Sequence, residues 1–262
     1  MAIINLTPDS FYANSRCADL DTAMKRVDTV LSQGADMLDL GAYSTRPGAA
    51  EVSETEEWER LQPVLKAIRK KYPEVVISID TFRSKVAELS VAEGADIIND
   101  VSGGLLDNNM FKTVGKLQVP YILMHMRGTP ATMQQFTSYN NLTADIITEL
   151  SKAMQQLTTE GVHDVIIDPG FGFSKTLDQN YELFAHLTDF KIFEKPVLVG
   201  ISRKSMIYKK FNITPEESLA GTTILNSFAL EKGAAILRVH DVEEAVQAVE
   251  IYKSIYCRND QQ

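Results

Sequence analysis

Eight short apolar runs punctuate the chain: Ile3-Ile4, Met37-Leu38, Val75-Val76-Ile77, Ile97-Ile98, Tyr121-Ile122-Leu123-Met124, Val165-Ile166-Ile167, Val197-Leu198-Val199 and Ile236-Leu237. Runs this short, with no polar alternation, predict strands buried on both faces, as in a parallel sheet. Between them the apolar positions recur with helical period. Ala23, Val27, Val30 and Leu31 share one face; Leu61, Val64, Leu65 and Ile68 share another, with Ser53 and Glu56 spaced as a capping box ahead of it. Further helical windows cover residues 83–93, 109–116, 142–160, 180–188, 215–232 and 242–255. Strand and helix alternate from end to end.

The punctuation between elements repeats. Gly34, Gly94, Gly161 and Gly233 each precede a strand, and the strands between them are introduced by Pro73, Pro120 and Pro196. Glycine supplies a left-handed helix stop, and proline a residue that cannot continue the helix. Successive glycine markers lie about two βα units apart, at roughly 30 residues per unit. Four such steps make eight units, and no composition break or long linker divides them. Residues 1–262 are therefore expected to form one α/β domain, a single (β/α)8 TIM barrel with its active site at the C-terminal strand ends. An open doubly wound sheet would normally carry a glycine-rich dinucleotide turn after an early strand, and none is present.

Composition narrows the function. The chain has 262 residues, 44% hydrophobic and 23% charged, as in an average soluble protein, with no stretch apolar enough to span a bilayer. Thirty-five acidic against 26 basic residues give a formal charge of -9, which argues against nucleic acid or an anionic membrane as partner. A local basic pocket remains compatible with that balance. Cys17 and Cys257 lack metal-type spacing and read as free cytosolic thiols, and with no signal peptide ahead of Ile3 the expected location is cytoplasmic.

The strand ends are polar. Asn5, Asp39, Asp80, Asn99 with Asp100, His125, Asp168 and Arg238 close seven of the eight runs, and Gly200 the other. Any one of them reads first as a cap or turn former; seven on one rim read as a site. Asp168 leads directly into Pro169-Gly170-Phe171-Gly172-Phe173, two glycines beside two aromatics, suited to the floor of a flat ligand. Loops after the first two strands, Leu6-Thr7-Pro8-Asp9-Ser10-Phe11 and Gly41-Ala42-Tyr43-Ser44-Thr45-Arg46-Pro47-Gly48-Ala49, read either as surface connections or as flaps carrying an arginine and hydroxyls to an anion. Ser202-Arg203-Lys204-Ser205 follows the seventh strand, and Arg238 with His240 shares one side of the eighth. The rim thus divides in two. Asp80, Asn99 and Asp168 suit a planar heterocycle with adjacent N–H donors, whereas Asn5, Arg46, Arg238 and His240 suit an anionic leaving group with a hard cation such as Mg2+.

These motifs, in order from Ile3 to Asp241, resemble those of the dihydropteroate synthases: Asn5 to Phe11, Asp39 with Ser44 to Gly48, Ser78-Ile79-Asp80-Thr81, Ile98-Asn99-Asp100, Met124-His125-Met126, Asp168 to Phe173, Ser202 to Ser205 and Arg238-Val239-His240-Asp241. The resemblance implies a transferase of folate biosynthesis, a sulfonamide target, that joins 7,8-dihydropterin-6-ylmethyl diphosphate to p-aminobenzoate and releases diphosphate and 7,8-dihydropteroate. Carried over by position, it places the pterin on Asp80, Asn99, Met124, Asp168, Phe173, Gly200 and Lys204. It places p-aminobenzoate on Phe11, Pro47 and Ser202, and the diphosphate on Asn5, Thr45, Arg46, Arg238 and His240. Asp80, Lys204, Thr45 and Arg46 would be the catalytic set, Asn5 would contact Mg2+, and the protein would pair as a homodimer. Two departures from the family pattern stand out. Tyr12-Ala13-Asn14 follows Phe11 where relatives commonly carry an acid, and the chain starts almost at its first strand. The nearest rivals are a pterin-dependent methyltransferase, which would not need Arg46, Arg238 and His240, and a non-catalytic pterin-binding barrel.

Overall fold

The structure, a computed structural model, describes residues 1–7, 19–43 and 52–256. All eight apolar runs form parallel strands: β1 (Ala2–Asn5), β2 (Met37–Gly41), β3 (Val76–Asp80), β4 (Ile97–Asp100), β5 (Tyr121–Met124), β6 (Val165–Asp168), β7 (Leu198–Val199) and β8 (Ile236–Leu237). β1 to β6 pair in sequence order, and β7 pairs with β8. Parallel bridges Ile167–Val197 and Ala2–Val239 join the two sheets at both seams. The first is backed by Ile167 N donating to Pro196 O at 2.9 Å, the second by Ile3 N donating to Val239 O at 2.9 Å. Every strand thereby has a neighbour on each side, the arrangement of a (β/α)8 barrel.

The helices are α1 (Leu20–Ser32), α2 (Glu54–Lys71), α3 (Ser84–Ala92), α4 (Met110–Leu117), α5 (Leu142–Thr159), α6 (Leu177–Ala185), α7 (Ser205–Phe211), α8 (Leu219–Glu231) and α9 (Val242–Tyr256). The four marker glycines all adopt the left-handed conformation, with φ between 81° and 102°, where the preceding helix stops. At α2, Ser53 accepts from Glu56 N at 3.2 Å, but the Glu56 carboxylate turns to Arg60, so half of the expected box forms. The reciprocal box is at Thr176 and Gln179, and it starts α6 three residues earlier than residue 180. Helix α7 was not expected. Its seven residues are too few to show a periodic stripe. Among the described residues, no helix is long and apolar enough to cross a membrane.

Strand parity divides the core. Ile4, Leu38, Ile77, Ile98, Leu123 and Ile167 face outward into the large cluster beneath the helices. Ile97, Ile122, Ile166 and Leu198 face inward and, with Met37, Val76 and Ile236, fill the lower barrel. The interior is packed there, not open. At this end Arg69, in the last turn of α2, clamps the entry of β3 and β4. Its guanidinium donates to Pro73 O at 2.7 Å, Val75 O at 2.8 Å, Gly94 O at 3.0 Å and Asp96 Oδ2 at 2.7 Å.

Replacing Arg69 strands several acceptors far from the mouth. Arg69→Met should lower unfolding free energy in urea by about 1–3 kcal/mol. A change within a few tenths of a kcal/mol of zero would contradict the clamp.

Candidate active site

Above the apolar floor, the next inward-facing position on each strand is mostly polar: Asp39, Ser78, Asn99, Met124, Asp168, Gly200 and Arg238 follow in step around the barrel. The alternation of two residues per strand repeat produces this rung directly. A cavity of about 510 Å³ opens above it, and Asn5, Asp80, Asn99, Met124, Asp168, Phe173, Gly200, Ser202, Lys204, Arg238 and His240 all line it. Eleven of the residues selected from sequence are thus brought together. Phe11, Thr45, Arg46 and Pro47 lie outside the described residues, as do Ala13, Asn14, Cys17 and Cys257.

Three strand-end groups behave differently. Asp39 is fully buried beneath the cavity, where its carboxylate accepts from Ser78 Oγ at 2.6 Å, from Asn99 Nδ2 and from Arg238 Nε at 2.6 Å. Asp100 faces away from the barrel axis and is held by Tyr121 Oη at 2.6 Å and by the backbone and hydroxyl of Ser102 at 2.7 Å. His125 likewise faces outward, toward Glu149 on α5. Both follow an inward-facing residue, Asn99 and Met124, so parity turns them from the mouth.

Arg238 reaches from β8 across to β2 and β3. Besides Asp39 it donates through Nη2 to Asp80 Oδ2 at 2.6 Å. Burial pushes the Asp80 carboxyl up to about 7 against the opposing pull of Arg238, with Asp39 adding to the rise. Burial pulls down the Arg238 guanidinium, but Asp39 and Asp80 outweigh it and hold the group above its ordinary value. His240 is pulled down to about 3 by burial and by Arg238, Arg26 and Arg203 around it. It is a neutral imidazole at neutral pH.

The opposite wall is the turn after β6. Asp168 accepts from Gly170 N at 2.8 Å through Oδ1, and among the described residues its Oδ2 has no hydrogen-bond donor. Burial raises its pKa, opposed first by Lys204. Lys204 Nζ donates to Phe171 O at 2.6 Å and stands 4.9 Å from the centroid of the Phe173 ring, and burial draws its pKa down to about 8. Gly170 has φ +74°, and a Cβ there would come within 2.0 Å of His125 O, so only glycine fits.

Two residues that sequence reading missed shape this wall. Arg203, at φ +54°, forks onto Asp241 at 2.8 and 2.9 Å and donates to Pro215 O and Glu216 O, which fixes the loop presenting Ser202 and Lys204. Lys175 is a buried cation on the cavity wall, its pKa drawn down to about 7 by burial against the attraction of Asp168. A lysine between serine and threonine reads as surface, so nothing local marks it.

The mouth therefore holds an acceptor with a vacant oxygen between two cations, facing an arginine and a neutral histidine across an enclosed space. That defines a TIM barrel with an enclosed, charged cavity at the C-terminal ends of its strands. A family model described as pterin binding enzyme matches residues 1–240. The chain is 41% identical to the folate synthesis bifunctional protein of Arabidopsis thaliana over 96% of its length, spanning 55% of that longer protein. It is 40% identical to the dihydropteroate synthase of Escherichia coli K12, covering 97% of this chain and 90% of that one. The Yersinia pestis dihydropteroate synthase, solved in complex with a sulfonamide drug, superposes with a TM-score of 0.94 at 39% identity, covering 98% and 94% of the two chains. The chain belongs to the pterin-binding enzymes, in the dihydropteroate synthase family.

Behind the turn, burial and Lys175 pull His125 down to about 4, and hydrogen bonds from His125 and Arg127 hold Glu149 at about 2 despite its partial burial. Native His125 refuses a proton that the unfolded chain accepts below about pH 6.5, so its own contribution to stability should fall with falling pH, by about 2 kcal/mol between pH 6.5 and 5, while His240 adds to the loss and Asp80, raised to about 7, offsets it. Glu149 extends the loss below about pH 4.5. Urea titrations of the parent and His125→Gln at both pH values check this: the variant should lose less than the parent, and equal losses would contradict it.

Proposed function

We propose that this chain catalyses the dihydropteroate synthase reaction, and the vacant Asp168 oxygen at the cavity wall is the observation that carries it. A pterin presents its 2-amino group and N3–H side by side, and a buried carboxylate accepts both with no need to shed other partners. Lys204 serves the carbonyl edge, Asn99 a ring nitrogen, and Met124, Phe173 and Gly200 the flat faces. Across the cavity Asn5, Arg238 and His240 take the diphosphate, and the family resemblance adds Thr45 and Arg46 to that set. Among the described residues Arg238 Nη1 has no hydrogen-bond partner, which leaves it for the anion while Nε and Nη2 stay on Asp39 and Asp80. His240, neutral before substrate arrives, contributes a ring hydrogen bond.

The bond from the pterin methylene carbon to the diphosphate oxygen breaks with its electron pair leaving on oxygen. The amine nitrogen of p-aminobenzoate then supplies the pair for the new C–N bond and loses a proton. Positive charge develops on the pterin between these steps, beside the carboxylates of Asp80 and Asp168, which are fixed before reaction and stabilise it electrostatically. Ser202, with Phe11 and Pro47, receives p-aminobenzoate.

Among the described residues no cluster of three or more His, Cys, Asp or Glu side chains could hold a metal unaided. Mg2+ does not require one, because it keeps waters and binds through substrate phosphates with one or two protein oxygens. Asn5 offers a hard amide oxygen on the cavity wall, and it would hold the ion there, where Mg2+ neutralises leaving-group charge. The remaining assignments follow the same reading: cytoplasmic location, no nucleic-acid partner, one domain carrying both halves of the site, and a homodimer. For the dimer, α8 exposes Ile224 and Phe228 one turn apart, Phe211 at the end of α7 is 63% exposed, and α9 exposes Ile251 and Ile255.

Mixing the protein with the dihydropterin diphosphate, p-aminobenzoate and Mg2+ should release diphosphate only when p-aminobenzoate is present; pterin binding without that turnover would favour a binding module. By calorimetry, Asp168→Ala should lose pterin binding both with and without diphosphate. Arg238→Ala should weaken mainly the binding that includes diphosphate, with a smaller loss for the pterin alone because Asp80 loses its partner, and unchanged pterin affinity in Asp168→Ala would contradict the placement. In sedimentation the parent should run as a dimer and Phe228→Glu as a monomer; a monomeric parent would remove the dimer.

A further inference from the structure

Lys175 is 3% exposed, and its surroundings are specific. Its Nζ donates to Gly170 O at 2.9 Å and to Phe173 O at 3.0 Å, and lies 3.1 Å from His125 Nδ1. An ammonium has three N–H donors and no acceptor. Three acceptors surround it, two of them carbonyls of the turn that carries Asp168 and Phe173 at its ends. The ammonium sits inside this turn as a bound cation would, drawing carbonyls inward that would otherwise be buried without donors.

The third acceptor sets the orientation. His125 Nδ1 can accept from Lys175 only if the ring is neutral with its proton on Nε2, and Nε2 lies 3.0 Å from Glu149 Oε2. Glu149 is in turn held by Arg127 Nε at 3.0 and 3.2 Å. The backbone N–H of Arg127 donates to Ser174 Oγ at 3.1 Å, and Tyr139 Oη donates to Ser174 O at 3.0 Å, so the same group of side chains also holds the residue before Lys175. A continuous polar chain therefore runs from the half-exposed Glu149 on α5 to the wall of the cavity.

We propose that Lys175 is a positioning residue for pterin recognition: oriented through His125, Glu149 and Arg127, its ammonium holds the Gly170 and Phe173 carbonyls and thereby sets the Asp168 carboxylate and the Phe173 ring against the heterocycle. The proposal rests on the pterin reading of the cavity. It separates from a merely structural role because the p-aminobenzoate side, around Ser202, is fixed by Arg203 and Asp241 instead.

Lys175→Met keeps the length and removes the donors. Calorimetry of the parent and this variant with 6-hydroxymethyl-7,8-dihydropterin should show affinity falling on the order of tenfold, because two buried carbonyls lose their donor and the turn relaxes. In steady-state assays KM for the pterin diphosphate should rise to match, while KM for p-aminobenzoate moves by less than about twofold. His125→Phe, which removes one acceptor and the link to Glu149, should raise the pterin KM as well. His125→Gln, which can accept from Lys175 and donate to Glu149, should restore it. Pterin affinity in Lys175→Met within twofold of the parent, or equal losses for both substrates, would overturn the proposal. If Lys175→Met does not fold, the His125 pair decides, and equal pterin KM values in Phe and Gln variants would overturn it. A parent that binds the pterin without p-aminobenzoate-dependent turnover counts against the synthase reading alone, because the calorimetric comparison still tests Lys175.

Discussion

Charge balance in a low-dielectric mouth is the constraint on which the rest of the site depends. Asp39, Asp80 and Asp168 are carried out of water on three strands, and Arg238, Lys204 and Lys175 are carried in among them. A buried charge left without its partner costs several kcal/mol, so Arg238, Asp39 and Asp80 fix one another by direct contact, while Asp168, Lys204 and Lys175 balance one another at longer range and are positioned by backbone groups. Arg238 shows the consequence for the fold. It leaves β8 and ends between side chains from β2 and β3, tying the last strand to the early ones across the barrel. The barrel seam and the anion side of the site therefore share one guanidinium.

The two walls are built by different means. On the anion side the polarity comes from the strands themselves, Asn5 ending β1 and Arg238 following β8, with Arg238 held by Asp39 of β2 and Asp80 of β3. On the heterocycle side it comes from a turn whose backbone conformation is sustained by Gly170 and Gly172 at φ +74° and +84° and by an internal lysine. The division suits the chemistry: the leaving group needs concentrated charge, and the flat ring needs one acceptor beside apolar faces. Met124 and Phe173 supply those faces as part of a small cluster separate from the main core.

The barrel was legible from sequence because its strands are short runs buried on both faces and its helix stops are marked by glycine or proline. Asp168 and Arg238 were legible because a charge closing a buried run needs a partner or a ligand to offset its desolvation. Asp100 and His125 looked like rim residues for the same reason, and parity with Asn99 and Met124 separates them once the inward set is known. The capping pattern Thr176-Leu177-Asp178-Gln179 carried the start of α6 and could have been read. Lys175 and Arg203 could not: Lys175 folds back into its own turn against His125, 50 residues earlier, and Arg203 is held by residues 215, 216 and 241.

The central claim is that the Asp168 carboxylate is the acceptor for a pterin's paired donors. A crystal structure with 6-hydroxymethyl-7,8-dihydropterin bound tests it most directly. The account predicts the 2-amino group and N3–H both within hydrogen-bond distance of Asp168, with the ring against Phe173 and its carbonyl edge toward Lys204. A pterin bound in the mouth with those donors turned to other acceptors would contradict it.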